Sequence, residues 1–335
     1  MPNRNVTLRG MYLARKRIAS LIRRTPLEAS LPLSEALGTR VVLKLENLQA
    51  TGSFKIRGAA NKVLSLSDQE RAAGIITVSS GNHGRAVSTV AQSLGVPAVV
   101  CISEAVPANK LQAIEKLGAE VQIGGATYDH AAALAARLET ERGLSMVHPF
   151  DDPFVIEGQG TIGLELLEDY PEIDTVLVPL SGGGLLSGVA FALKAADPSI
   201  RTVGVSMDRG PAMIESLRAG TIVEVHEDPT LADALAGGLG PSNAYTFDLI
   251  QELVDDTVLV TEQEIAQAMT FAFEEHRVVV EGGGAVGVAA LLSGKAKPLG
   301  RNVAVVISGG NVELPLLLDV VQGRTPGREQ QGQAL

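Results

Sequence analysis

Lys55 stands between Phe54 and Ile56 in the stretch TGSFKIRGAA, residues 51 to 60, where both neighbours are of the kind that points inward. The usual fate of a lysine is to snorkel, carrying its ammonium out to water along an apolar stem. In apolar surroundings, near cationic or dipolar positive potential, the charged form is disfavoured and the neutral amine becomes a nucleophile suited to Schiff-base chemistry. The turn residues Thr51, Gly52 and Ser53 precede Lys55, and Arg57 and Gly58 follow it at a predicted helix start.

Three more stretches combine glycine with serine where a strand gives way to a helix: SSGNHGRA (79 to 86), SGGGL (181 to 185) and SGGN (308 to 311). In the first, Ser79, Ser80, Asn82 and His83 put four hydrogen-bonding side chains in one short turn. Capping a helix would use one or two of them; a docked carboxylate would use more. In the second, Gly182, Gly183 and Gly184 bare their amides ahead of an apolar helix, forming a cradle that suits a phosphate. A plain tight turn is the bland alternative. A dinucleotide is another, but Ser187 stands where the third glycine of that fingerprint belongs, with Asp208 as the candidate ribose-binding acid.

The elements that must position these loops show as short, continuous apolar runs: RVVLKLE from Arg40, GIITVSS from Gly74, AVVCIS from Ala98, TVLVPLSGG from Thr175, RTVGVSM from Arg201, DDTVLVT from Asp255 and NVAVVISGG from Asn302. Unbroken runs suit strands buried on both faces of a parallel sheet, with crossover helices covering them. Helical stretches fill the gaps: GRAVSTVAQSLG, PANKLQAIEKLGA with Pro107 in its first turn, and TEQEIAQAMTFAFEEH with Thr261 and Glu264 in capping-box spacing. The pattern predicts a doubly wound α/β fold. In such sheets ligands bind beyond the carboxyl ends of the strands, so the four loops should converge there. Residues 75–148 read as a smaller inserted lobe, 1–74 with 149–322 as the larger one, and the polar tail 323–335 as disordered.

Composition narrows the chemistry. The 335 residues are 45% hydrophobic with a net charge of -10 and no charge blocks, which argues against nucleic acid as a partner. No segment has the apolar length of a membrane span, and the N-terminus lacks a secretory apolar core, so a soluble, intracellular protein is expected. The single cysteine, Cys101, sits in an apolar run and reads as a buried small hydrophobe; the absence of a disulfide framework suits a reducing cytoplasm. His83, His130, His148, His226 and His276 stand apart from one another, so no metal is expected. SGKAKP lacks the upstream glycine and the following Ser or Thr of a P-loop.

Taken in order, SFKIRGA, SSGNHG, SGGGL and SGGN resemble the serine/threonine dehydratase family of fold-type II pyridoxal-phosphate enzymes, over roughly residues 10 to 320. The resemblance implies the tryptophan-synthase-β-like fold, with two doubly wound open-sheet lobes and the cofactor, pyridoxal 5'-phosphate, between them. It makes Lys55 the Schiff-base lysine and the base for the α-proton, and Phe54 a residue packed on the ring. Ser181, Gly182, Gly183, Gly184 and Leu185 become the phosphate cradle. Asn82 meets the ring hydroxyl, Ser308 the pyridine nitrogen, and Glu281 flanks the cofactor. Ser79, Ser80, Asn82 and His83, with Arg85 where glutamine is usual, form the substrate site, and Ser80 becomes a second acid/base on the opposite ring face.

A hydroxyl at the pyridine nitrogen leaves the ring a weaker electron sink than a carboxylate would, which favours expulsion of a β-leaving group. The implied reaction is loss of water from a 3-hydroxy-2-amino acid, ending in ammonia and a 2-oxo acid. Within the family, FDDPFVIEGQGTIGLELLE, VPLSGGGL, TLADALAGGLG and DDTVLVTEQEI look most like hydroxyectoine-utilization dehydratases. That implies hydroxyectoine, or a ring-opened hydroxy-diaminobutyrate derivative, as the substrate. Threonine or serine ammonia-lyase and serine or threonine racemase are the alternatives on this scaffold. A nicotinamide-dependent dehydrogenase or a non-enzymatic binding module would be a different class. Met207 and Ala212 replace cation-binding positions of many relatives, a departure that also speaks against a metal. A homodimer is expected; a C-terminal regulatory domain and feedback by isoleucine are not.

Overall fold

The computed structural model describes residues 5–324 except positions 105, 107 and 241. Pro107 and the tail from 325 onward therefore lie outside the described residues. Among the described residues there are ten strands: β1 (Leu27–Ala29), β2 (Arg40–Leu45), β3 (Ile75–Val78), β4 (Ala98–Ile102), β5 (Glu120–Ile123), β6 (Ser145–Met146), β7 (Thr175–Pro179), β8 (Arg201–Met207), β9 (Asp256–Val260) and β10 (Asn302–Ile307). They form a six-stranded sheet in the order β1-β2-β10-β7-β8-β9 and a four-stranded sheet in the order β5-β4-β3-β6.

Every residue of β3, β4 and β7 is buried, as their unbroken apolar runs require. All pairings are parallel except β1 with β2, which is antiparallel. The antiparallel pair lies at one edge of the larger sheet, where a short connection leads from β1 to β2 through the helix Leu31–Leu37. β1, β5 and β6 carry no continuous apolar signal: β5 is the polar EVQI on an outer edge, and β6 has two residues.

Two crossings set the geometry that matters for the site. The helix Lys55–Ser65 packs on the helix Pro153–Asp169 with Gly58 against Gly158. A Cβ on Gly58 would come within 2.4 Å of Gln159 Nε2, and one on Gly158 within 2.6 Å of the Arg57 carbonyl. The same long helix meets Gly184–Ala196 at Gly160 and Gly188, where a Cβ on Gly188 would lie 2.4 Å from the Ile156 carbonyl. Small residues bring these backbones together and so fix the lysine-bearing helix against the glycine loop. The helix Glu262–His276 begins with the capping box anticipated from Thr261 and Glu264. Among the described residues, no helix is long and apolar enough to cross a membrane.

Candidate active site

The four motif loops converge on one cleft of about 460 Å³ at the carboxyl ends of β3, β7 and β10. Phe54, Lys55, Ser79, Ser80, Asn82, His83 and Arg85 line it. So do Ser181, Gly182, Gly183, Gly184, Leu185, Glu281 and Ser308. Asp208 does not, so the ribose-binding acid of the dinucleotide alternative is missing from the cleft.

Lys55 is the first residue of its helix, and no side chain caps the preceding Phe54. The turn before it is instead stitched by backbone to the loop after β10: Phe54 N donates to Ser308 O at 3.0 Å and Gly310 N donates to Gly52 O at 2.9 Å. Lys55 Nζ donates to the Pro149 carbonyl at 2.8 Å and lies 5.2 Å from the centroid of the Phe54 ring. Burial lowers its pKa to about 8, opposed by the charge of Glu281. The amine is thus activated chiefly by desolvation rather than by a cationic neighbour. Arg57, the nearest cation in sequence, is fully buried and turned into a separate cluster. There it grips Glu46 with Nε and Nη2 at 2.8 Å, and Glu165 with Nη1 at 2.6 Å and Nη2 at 2.9 Å. Lys44 Nζ, 2.6 Å from Glu165, completes a network that ties β2 and the helix Pro153–Asp169 to the first turn after Lys55.

The SSGNHG loop differs from its anticipated form. The helix begins at Asn82, so Asn82 and His83 occupy its first turn while Ser79 and Ser80 remain in the preceding bend. The N-cap is Gly81, and no side chain caps the helix, so the four polar groups are not spent on a helix cap. His83 Nε2 contacts the Val147 carbonyl at 2.9 Å, which fixes that nitrogen as the donor. Its Nδ1 is buried without a partner. Burial, reinforced by the charge of Lys55, lowers the His83 pKa to about 3, so the ring is neutral at ordinary pH.

The glycine loop opens a helix, Gly184–Ala196, whose N-cap Gly183 has φ 91° and no side-chain cap. Packing alone demands glycine here: a Cβ on Gly182 would meet the Phe150 ring at 2.3 Å, and one on Gly184 the Phe150 carbonyl at 2.7 Å. The result is nevertheless a helix N-terminus, bare of side chains, opening into the cleft that holds the lysine. Across the cleft Ser308, 4% exposed, directs Oγ to the Gly283 carbonyl at 3.5 Å. Glu281 is buried, which raises its pKa to about 7 with help from Asp233.

Sequence reasoning did not single out Asn311, the last residue of SGGN, or the segment Asp233–Gly238, both of which line the cleft. The signal for Asn311 lay in its motif. For the segment it lay in TLADALAGGLG, a run of small residues with no periodicity. Arg85, expected at a substrate anion, donates from Nη1 to Asn311 Oδ1 at 2.7 Å. Among the described residues no group of three His, Cys, Asp or Glu side chains could hold a metal ion.

A lysine with a depressed pKa, an uncapped helix N-terminus and a buried serine around one cleft fit an aldehyde, a phosphate and a ring nitrogen of a single cofactor. Such a cleft between two open α/β sheets defines a pyridoxal-phosphate enzyme of fold type II. The chain belongs to the family described as "Pyridoxal-phosphate dependent enzyme", whose model matches residues 18–309, and its cofactor is pyridoxal 5'-phosphate. It is 50% identical over 326 residues to a protein of Sinorhizobium fredii provisionally named a threonine dehydratase, covering 97% of this chain and 98% of that one. It is 45% identical over 312 residues to the L-threonine ammonia-lyase of Thermotoga maritima, covering 93% and 77%. Maize serine racemase has the same fold, with a TM-score of 0.89, 36% identity and coverage of 95% and 97%. The chain is a threonine/serine ammonia-lyase-like enzyme of the ammonia-lyase and dehydratase class.

Proposed function

We propose that the enzyme eliminates water from 3-hydroxy-2-amino acids, releasing ammonia and a 2-oxo acid, with Lys55 as the cofactor-bound lysine and proton carrier. The observation that carries this reading is the Lys55 amine, depressed to about 8 in the cleft it shares with the glycine loop and Ser308. When bound, pyridoxal 5'-phosphate supplies an aldehyde for amines and a sink for the electrons left at the α-carbon. The amides of Ser181 to Leu185 hold its phosphate, Asn82 and Glu281 its hydroxyl side, Ser308 its ring nitrogen, and Phe54 packs on the ring.

The chain's own groups do the remaining work. The hydroxyls of Ser79 and Ser80 and the first-turn backbone N–H of His83 orient the substrate carboxylate, and Arg85 lines the same cleft. Lys55 Nζ would take the α-proton and return a proton to the departing hydroxyl. Ser308, a hydroxyl rather than a carboxylate, would leave the ring nitrogen without an acid partner, which favours β-elimination over reactions needing a long-lived carbanion. The same residues, with Ser80 donating from the other face, would support a racemase.

The names of the relatives favour L-threonine and L-serine as substrates. A hydroxyectoine-type substrate, expected from the narrower motif resemblance, finds no counterpart in those names. Its support is the cleft wall, where the acidic Glu227 and Asp233 accompany the small residues Ala236, Gly237 and Gly238 and would suit a substrate with a second amino group. A homodimer in the cytoplasm belongs to the same proposal and rests on the family resemblance. The test is a panel of L-threonine, L-serine, 3-hydroxyaspartate and hydroxyectoine derivatives, followed for ammonia, 2-oxo acid and D-enantiomer. Release of ammonia from none of them, with cofactor bound, would overturn the proposal; D-serine without 2-oxo acid would convert it to the racemase.

A further inference from the structure

Asn311 joins all the polar loops on one side of the cleft. Its Nδ2 donates to Asn82 Oδ1 at 2.6 Å and to the Thr51 carbonyl at 2.9 Å. Its Oδ1 accepts from Arg85 Nη1 at 2.7 Å, and its backbone N donates to Glu281 Oε2 at 3.1 Å. Both amide hydrogens and the carbonyl are therefore committed, and only one orientation of the amide satisfies them. Asn82 Nδ2 donates in turn to Glu281 Oε1 at 2.7 Å, so Asn82 is held by its oxygen and by one of its two hydrogens.

We infer that Asn311 is a positioning residue that fixes the rotamer and amide orientation of Asn82, leaving a single Asn82 N–H to be offered to the cofactor's ring oxygen. Turning the Asn82 amide over would set its NH₂ against the NH₂ of Asn311 and its oxygen against the Glu281 carboxylate, two repulsive contacts in place of two hydrogen bonds. The surroundings are shaped for this arrangement. Gly52 has φ 75°, and a Cβ there would come within 2.4 Å of Asn311 Oδ1. A Cβ on Gly309 would strike Glu281 Oε1 at 2.2 Å.

The arrangement also crosses between sheets. Asn82 and Arg85 follow β3 of the four-stranded sheet, whereas Asn311, Glu281 and Thr51 belong to loops around the six-stranded one. Asn311 thus ties the offered N–H to the frame that carries Lys55. The inference rests on the proposed contact of Asn82 with the cofactor, and the two are separable by experiment.

The test uses the full chain reconstituted with pyridoxal 5'-phosphate and compares Asn82→Ala, Asn311→Ala, the double variant and the isosteric Asn311→Asp. The readouts are the equilibrium dissociation constant for the cofactor and the visible absorption maximum of the loaded protein, with thermal unfolding recorded in parallel. Loss of one neutral hydrogen bond should weaken cofactor binding by about fivefold to tenfold in Asn82→Ala. Asn311→Ala should lose a comparable factor and shift the spectrum in the same direction, and the double variant should be no worse than Asn82→Ala alone. Asn311→Asp, which sets a carboxylate oxygen against Asn82 Oδ1, should be at least as impaired as Asn311→Ala while its melting temperature stays close to the parent's. If Asn82→Ala is impaired while Asn311→Ala and Asn311→Asp bind and absorb as the parent does, the positioning role is overturned and the Asn82 contact stands. If Asn82→Ala itself is unchanged, the cofactor contact fails and the inference with it. Additive losses in the double variant would overturn the inference by showing that Asn311 acts independently of Asn82.

Discussion

Replacing Arg57 by methionine removes the centre of a buried network while keeping much of its volume. Glu46 and Arg57 are fully buried and Glu165 nearly so, and the guanidinium makes two hydrogen bonds to each carboxylate. Lys44 continues to neutralise Glu165, at 2.6 Å, but Glu46 loses its paired cation and keeps only the Thr25 hydroxyl and the Gln49 amide as donors. Removing one partner of a buried ion pair costs about 3–5 kcal/mol. For a chain of 335 residues, with an unfolding entropy near 2.1 cal/mol/K per residue, that corresponds to a fall of about 4–7 °C in melting temperature.

The pH dependence has a definite sign. In the parent, burial pushes the Glu46 pKa up, but Arg57 overrides it and holds the carboxyl below its ordinary value. The stabilisation is present above the unfolded carboxylate pKa and is lost as pH falls through the folded one. In Arg57→Met burial is opposed only by the Thr25 hydrogen bond and the charge of Lys44, the pKa rises, and the penalty is relieved as pH falls through that raised value. The difference between variant and parent should therefore be largest near pH 8 and shrink toward pH 5, as measured by urea denaturation. A loss below about 1 kcal/mol, or one that is the same at both pH values, would refute the account of the network.

Cofactor attachment should speed up as pH rises through about 8, because the Lys55 amine becomes neutral there, and should level off above it; stopped-flow absorbance on adding pyridoxal 5'-phosphate to the apoenzyme checks this. Gly183→Ala places a Cβ at φ 91° and 2.5 Å from Ile250 Cδ1, so cofactor affinity should fall at least tenfold, about 1.4 kcal/mol, in an equilibrium titration. His83 stays neutral in the folded protein down to about pH 3, while the unfolded chain takes up a proton near 6.5, so acidification between those values should destabilise the parent. His83→Asn should lose about the slope expected for one proton over that range in urea midpoints against pH.

The legible parts of the sequence were those governed by local chemistry. Apolar runs marked seven strands, clearest in β3, β4 and β7 where burial on both faces leaves no alternation, while the edge strand β9 alternates; the glycine and serine clusters marked where strand ends meet the cleft. The polar edge strand β5 and the two-residue β6 owe their place to neighbouring strands rather than to their own residues. The partners of Arg57 lie 11 and 108 positions away, and Asn311 reaches Asn82 across 229 positions, so neither set is visible in any sequence window. The activation of Lys55 follows one of the causes read from its neighbours and not the other. Of the two causes expected, apolar surroundings and a cationic neighbour, burial supplies it, because Arg57 faces away into its own network.

The central claim, that Lys55 carries the cofactor, is tested most directly by reducing the loaded enzyme with borohydride, digesting it and locating the pyridoxyl group by mass spectrometry. A single modified peptide containing Lys55, absent from Lys55→Ala together with the visible absorbance, is the predicted result. Stoichiometric modification at another lysine, with Lys55 untouched, would contradict it.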